Sequence, residues 1–175
     1  QPSAIRIGVA LEKSYGGSQA IRAVTALPAL VGAWRHVGGG ILQFPVWEHP
    51  YKFDVICRPD LIPEGTQVVN NLQLGRVLTG EQKLKVPIRS MMCWNTNPVT
   101  QATESEKILE GLKREDLFLV VAEHFISDTA AYADILLPAS MGAEQEDIIL
   151  SWGHLYLTYN AKCVDSPGEC LPNNE

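Results

Sequence analysis

Six consecutive apolar side chains at residues 117–122 (Leu-Phe-Leu-Val-Val-Ala) constrain this chain more than any other feature. A half-exposed strand would alternate polar and apolar residues. A short unbroken apolar run instead predicts a strand covered on both faces, as in parallel sheets whose crossover helices lie on either side. Glu123 stops the run.

The flanking pattern is consistent with such a sheet. Residues 4–9 read as an opening strand bounded by Gly16 and Gly17. A helical pattern follows over 18–36, with Ile21, Val24, Leu27 and Val31 on one face and Pro28 expected to kink or break it. Residues 41–80 are cut into short pieces by Pro45, Pro50, Pro59 and Pro63. Trp47, Tyr51 and Phe53 suggest a packed excursion there, and 70–78 reads as a short helix. Residues 86–94 read as a strand that leads into the polar loop Asn95-Thr96-Asn97-Pro98. Thr103 and Glu106 have the spacing of a capping box, ahead of a helix striped by Ile108, Leu109 and Leu112. A short helix over 127–133, a strand over 134–137 ended by Pro138, an alternating β segment at Leu155, Leu157 and Tyr159, and an extended tail from Ser166 complete the order. The fold class is α/β: a Rossmann-like, mostly parallel sheet flanked by helices, with an irregular excursion at about 41–85. In such sheets ligands bind beyond the carboxyl ends of the strands.

Composition narrows the function. With 46% apolar and 19% charged residues, the chain is globular in type, and its net charge of -6 argues against a general nucleic-acid binder. No apolar run is long enough to cross a bilayer. The first residue is not Met, so the start reads as the edge of a piece of something longer. Cys57, Cys93, Cys163 and Cys170 form no metal-binding spacing and read as scattered thiols, although the spacing of Cys163 and Cys170 would also allow a disulfide. There is no dinucleotide fingerprint after the first strand and no phosphate loop, so a nicotinamide enzyme is unsupported.

The strand-end residues carry the remaining candidates. Asn95 and Asn97 can donate and accept, as reading a heterocycle edge requires, and a helix behind them would offer free N–H groups; a plain Asn-Pro turn is the alternative. Glu123 could accept from a ribose diol or from a guanine edge, or simply end a strand in solvent, and His124 reads as a hydrogen-bonded structural residue or a ligand. No Lys or Arg occurs from residue 115 to 161, where eight carboxylates do, so Lys13 and Arg22 are the cations best placed for a pyrophosphate. No nucleophile–base pair stands out. On residues alone the chain is an α/β domain that binds a ligand at its strand ends.

Several segments taken together resemble a known family. Residues 7–24, Leu27-Pro28-Ala29-Leu30-Val31-Gly32 with Gly38-Gly39-Gly40, residues 94–98, residues 129–139 (Thr-Ala-Ala-Tyr-Ala-Asp-Ile-Leu-Leu-Pro-Ala) with Glu144, and Pro167-Gly168-Glu169 are similar, in order and spacing, to the third domain of molybdopterin-guanine-dinucleotide oxidoreductases. That family includes dimethyl sulfoxide reductases, formate dehydrogenases and nitrate reductases. The resemblance implies a single dinucleotide-cofactor-binding domain over 1–165, with its core at 1–40 and 86–150, and a tail at 166–175 leading to the next domain. It also implies a molybdenum (or tungsten) oxidoreductase as parent. One pterin-guanine dinucleotide of a bis-dinucleotide centre would be gripped here, and this chain alone would be inactive. The cofactor-binding residues it points to are Val9, Lys13, Asn95, Asn97, Ala122, Glu123 and Gln145, with no catalytic or metal-ligating residue in this chain. An iron–sulfur cluster, if present, would lie upstream. The implied partners are the remaining domains of the same polypeptide and electron-transfer subunits. A prokaryotic source is implied, with cytoplasm and periplasm both open.

The chain departs from the family pattern at three places. Gly-Leu-Gln-Arg appears as Ala10-Leu11-Glu12-Lys13, Thr96 replaces a Gly, and Gln145 stands where a Lys is common. These changes motivate an alternative: a cofactor-free structural paralogue, as in the large subunit of respiratory complex I.

Overall fold

The computed structural model describes residues 2–43, 52–150 and 155–173. The expectations placed on Pro45, Trp47, Pro50 and Tyr51 lie outside these residues. The chain divides into two compact units, residues 1–56 with 148–159 and residues 57–147 with 160–175.

In the first unit, strand β1 (Ala4–Arg6) pairs in parallel with β2 (Gly40–Leu42), matching Ile5 to Ile41. The crossover between them is helix α1 (Gly17–Leu30). The opening strand is shorter than 4–9, because only Ala4 to Arg6 have ladder partners on β2. Helix α1 starts where only glycine fits: a Cβ on Gly17 would collide with the carbonyl of Leu11. Pro28 does not break the helix, which runs on to Leu30. It sits in the last turn, where its missing N–H forfeits a single bond to the Val24 carbonyl. Among the described residues of this unit the buried side chains include Ile7, Pro28 and Ala33, while Leu27 and Val31 of the expected apolar face are exposed. Helix α2 (Phe53–Cys57) follows in the chain. A strand pair, β6 (Asp147–Leu150) and β7 (Leu157–Asn160), realises the expected β segment near 155–159.

The second unit is built on a three-stranded parallel sheet. Its order is β3 (Ser90–Trp94), β4 (Phe118–Glu123), β5 (Ile135–Pro138), with β4 in the middle. The apolar run at 117–122 therefore becomes the central strand. Helices α3 (Leu74–Leu78), α4 (Pro98–Gln101) and α5 (Ser105–Leu112) accompany it. One face of the sheet forms the core: Cys93, Leu119 and Val121 pack with Leu78, Val99, Ile108, Leu112, Leu117 and Ala130. Each large aliphatic side chain buried there contributes on the order of 1.5–3 kcal/mol. Helices α3 and α5 approach closely at Gly111, where a Cβ would run into the side chain of Leu78. Arg114 ties this layer together. Its guanidinium donates to the carbonyls of Leu78 (3.1 Å) and Ile88 (3.2 Å) and pairs with Asp116.

The other face is covered less completely than the apolar run suggests. The parallel register sets Met92, Val120 and Ile135 in one row and Trp94, Ala122 and Leu137 in the next. Met92 and Trp94 stay 59% and 57% exposed. A long apolar run marks a central strand, yet it cannot say how much of each face other elements cover.

Three local expectations are corrected, and the reading of Cys163 and Cys170 as separate thiols holds. The strand expected over 86–94 is confined to Ser90–Trp94, where β4 supplies partners. The helix expected at 127–133 is a single 3-10 turn, Ala130–Tyr132. Thr103 does not cap α5. Its hydroxyl donates to the Leu72 carbonyl at 3.1 Å, and the position before the helix is Glu104, in a left-handed conformation (φ 58°). The Glu104 carboxylate is held by Arg76 (2.9 Å) and Lys107 (3.3 Å), which keeps it below the usual carboxylate range, the Arg76 hydrogen bond being the main cause. Cys163 and Cys170 are both free thiols.

Candidate functional site

The carboxyl ends of β3, β4 and β5 share one edge, and four of the sequence-derived residues lie on it. Asn95 leaves β3 in a left-handed conformation (φ 53°), which asparagine tolerates better than most residues. Its N–H donates to the carbonyl of Ala122 at 3.2 Å, which joins the loop to the neighbouring strand. Asn97 follows, at the head of α4. Ala122 and Glu123 end β4, with Glu123 opposite Pro138 on β5.

Asn97 is gripped from two sides. Its N–H donates to Gln101 Oε1 at 3.0 Å, and Thr96 Oγ1 donates to the same oxygen at 2.9 Å. Its side-chain Oδ1 accepts from Thr129 Oγ1 at 2.6 Å and from Thr129 N at 3.2 Å. The Thr129 hydroxyl in turn accepts the N–H of Val99 at 3.2 Å. These bonds correct one expectation. The helix behind the loop offers no free N–H groups in its first turn: Pro98 has none, Val99 gives its own to Thr129 and Thr100 gives its own to Asn97. Helix α4 is also only four residues long, so the loop's side chains, rather than the helix end, are what it presents to a ligand.

Glu123 is half-buried. Its Oε1 accepts the N–H of His124 at 2.9 Å, which leaves Oε2 without a partner among the described residues. His124 Nδ1 lies 3.1 Å from the carbonyl of Ala139. A carbonyl can only accept, so Nδ1 carries the proton and the imidazole acts as a brace between β4 and the segment after β5. The tail closes the same edge. Leu171 bridges Ala139 in parallel, Ser140 N donates to the Leu171 carbonyl at 2.9 Å, and the hydroxyls of buried Ser140 and Ser166 are 2.7 Å apart.

Three hollows lie near this edge. An apolar one of about 520 Å³ is lined by Met92, Trp94, Ala122, Leu137, Pro138 and Leu171, with Glu169 and Asn173 among its polar residues. Its volume falls in the range of small-molecule sites. Gln145 borders a polar hollow of about 490 Å³ with Glu144, Glu146, Lys162 and Asp165, and a smaller one of about 310 Å³ with Trp94. Its backbone carbonyl accepts from Asn160 Nδ2 at 2.9 Å.

Asn95, Asn97, Ala122 and Glu123 are thus brought together, and Gln145 shares a hollow with the residue before Asn95. Val9 and Lys13 belong to the first unit. Val9 follows β1, and Lys13 ends a 3-10 turn, Leu11–Lys13. Cys93 lies on the core side of the sheet, where burial pushes its thiol pKa up and keeps it neutral. Among the described residues no three His, Cys, Asp or Glu side chains converge as a metal site would need. Sequence reasoning gave no role to Thr129, Gln101 or Trp94. A hydroxyl that reaches across thirty-two residues has no local pattern to betray it.

Known proteins are similar to this chain along its length. The family described as molybdopterin oxidoreductase matches residues 1–175. The chain is 39% identical over 175 residues to a probable oxidoreductase, YoaE, of Bacillus subtilis, covering 99% of this chain and 25% of that protein. It is 33% identical over 165 residues to the putative dimethyl sulfoxide reductase chain YnfE of Escherichia coli, covering 85% of this chain and 20% of that one. It is 28% identical over 192 residues to the dimethyl sulfoxide reductase DmsA of Escherichia coli, covering 97% and 23%. The chain therefore spans about a quarter of the length of these relatives.

Proposed function

The chain belongs to the molybdopterin oxidoreductase family, and from that premise we propose that it forms the part of a longer oxidoreductase that holds one pterin-guanine dinucleotide of a bis-dinucleotide molybdenum or tungsten centre. The observation that carries this reading is the shared strand-end edge. Asn95, Asn97 and Glu123 stand at the ends of β3 and β4, next in the chain to Trp94 and Ala122, which line a hollow of about 520 Å³ whose own polar lining is Glu169 and Asn173. An apolar shelf with a few convergent polar groups is what a heterocyclic dinucleotide requires. Glu123 Oε2 would accept from the N–H groups of the guanine, and the side chains of Asn95 and Asn97 would meet polar atoms along the dinucleotide. When bound, the metal-pterin group supplies two-electron redox or oxygen-atom transfer, and the protein contributes binding and orientation.

A second reading is the cofactor-free paralogue. Gln145 favours it, because the hollow it borders also contains Glu144, Glu146 and Asp165, which would repel a phosphate, while its Lys162 already pairs with Asp165 at 2.9 Å.

The test is made on the full-length protein, purified from a host that loads a related enzyme with molybdenum. Metal per chain and guanosine monophosphate released by acid hydrolysis are measured on the same sample. About one metal ion and two nucleotides per chain are expected for a bis-dinucleotide centre. A folded protein carrying neither would favour the structural paralogue.

A further inference from the structure

Asn97 has an internal arrangement that fixes what it can offer a ligand. Its backbone N–H is taken by Gln101 Oε1, and its backbone carbonyl accepts from Thr100 N and Gln101 N. Its side-chain oxygen accepts twice from Thr129. Thr129 is itself fully buried (0% exposed) and cannot turn its hydroxyl elsewhere, since the Val99 N–H occupies one of its lone pairs and its proton goes to Asn97. A carboxamide whose oxygen is pinned in this way has one orientation. Its NH2 group, with two donor hydrogens, is the part of Asn97 left without a partner among the described residues.

We propose that Thr129 is a positioning residue that locks the Asn97 carboxamide oxygen inward, so that Asn97 meets its ligand as a donor only and the matching ligand group is an acceptor. This rests on the dinucleotide reading and sharpens it. Asparagine alone could read a donor–acceptor edge, whereas asparagine clamped by Thr129 cannot. In the dinucleotide the groups that answer to a donor are the phosphate and ribose oxygens, the ring carbonyls and the unprotonated ring nitrogens. Guanine N–H groups are excluded at this position and are left to Glu123.

Two substitutions in the full-length protein separate the positioning role from a merely structural one. Asn97→Asp keeps the oxygen that Thr129 grips and replaces the outward NH2 with an anionic oxygen. The expected result is an unchanged melting temperature with guanosine monophosphate per chain well below the wild-type value. Thr129→Val removes the hydroxyl at constant shape and frees the carboxamide to rotate, while Thr129→Ser retains the hydroxyl. Under limiting cofactor, occupancy of the one dinucleotide position held here is expected to fall about fivefold for valine, the worth of one net hydrogen bond, and to return toward wild type for serine. Full nucleotide content in Asn97→Asp, or equal content in the valine and serine variants, overturns the proposal and leaves the dinucleotide reading standing. A wild-type protein without nucleotide overturns both.

Discussion

The two units solve the same problem of burying a parallel sheet with different completeness. The second unit closes a core on one face of β3, β4 and β5, with Ile108 and Val121 fully buried. The first unit has a two-stranded pairing of β1 with β2, and Leu27 and Leu30 at the end of α1 and Val31 just past it are exposed. The difference shows where stability resides and where function can be placed. A strand end can hold a ligand to within a fraction of an ångström only if the strand behind it is fixed by packing. Five of the seven candidate residues accordingly stand on the well-packed unit.

The largest effect should come from the closed core. Ile108→Ala is expected to cost about 2–5 kcal/mol in urea unfolding, and Leu30→Ala in the first unit less than about 0.5 kcal/mol. Equal losses at the two positions would erase the contrast. Gly111→Ala should come next, costing about 1–3 kcal/mol because the new methyl must displace Leu78 at the contact of α3 with α5. Hydrogen exchange should report that loss in residues 74–78 and 105–112 and leave residues 17–30 unchanged.

The smallest effect is electrostatic and sharpens the contrast within the second unit. Arg76 and Lys107 hold Glu104 ionised below the usual carboxylate range. A depressed folded-state pKa stabilises the fold above the unfolded pKa, and this contribution is lost as pH falls through the lower folded value. Unfolding midpoints followed downward from neutral pH should therefore decline more steeply in the wild type than in Glu104→Gln. Superimposable profiles would remove Glu104 from the acid response.

What the sequence made legible follows from the range of each interaction. Strands β4 and β5 and the buried stripe of α5 could be read because their apolar spacing is local. The edge carrying Asn95, Asn97 and Glu123 could be read because parallel sheets bind ligands at their carboxyl ends, while Ala122 came from the family resemblance. The Asn97 to Thr129 clamp was not legible, since it joins loops thirty-two residues apart and depends on the pairing of β3 with β4. The capping box at Thr103 failed for a related reason. Its hydroxyl found a distant carbonyl at Leu72, a competitor that a four-residue window does not contain. The helix over 127–133 failed because Thr129 is drawn to Asn97, and the segment keeps only one 3-10 turn.

The most direct test of the strand-end edge as the dinucleotide's seat is nucleotide content in the full-length Glu123→Ala protein. The carboxylate reaches only its neighbour's N–H within the described residues, so its removal should leave the melting temperature near the wild-type value. Guanosine monophosphate per chain is expected to fall from about two toward one, as a bis-dinucleotide centre loses the half held here. A folded Glu123→Ala protein that still releases the wild-type amount would contradict the assignment.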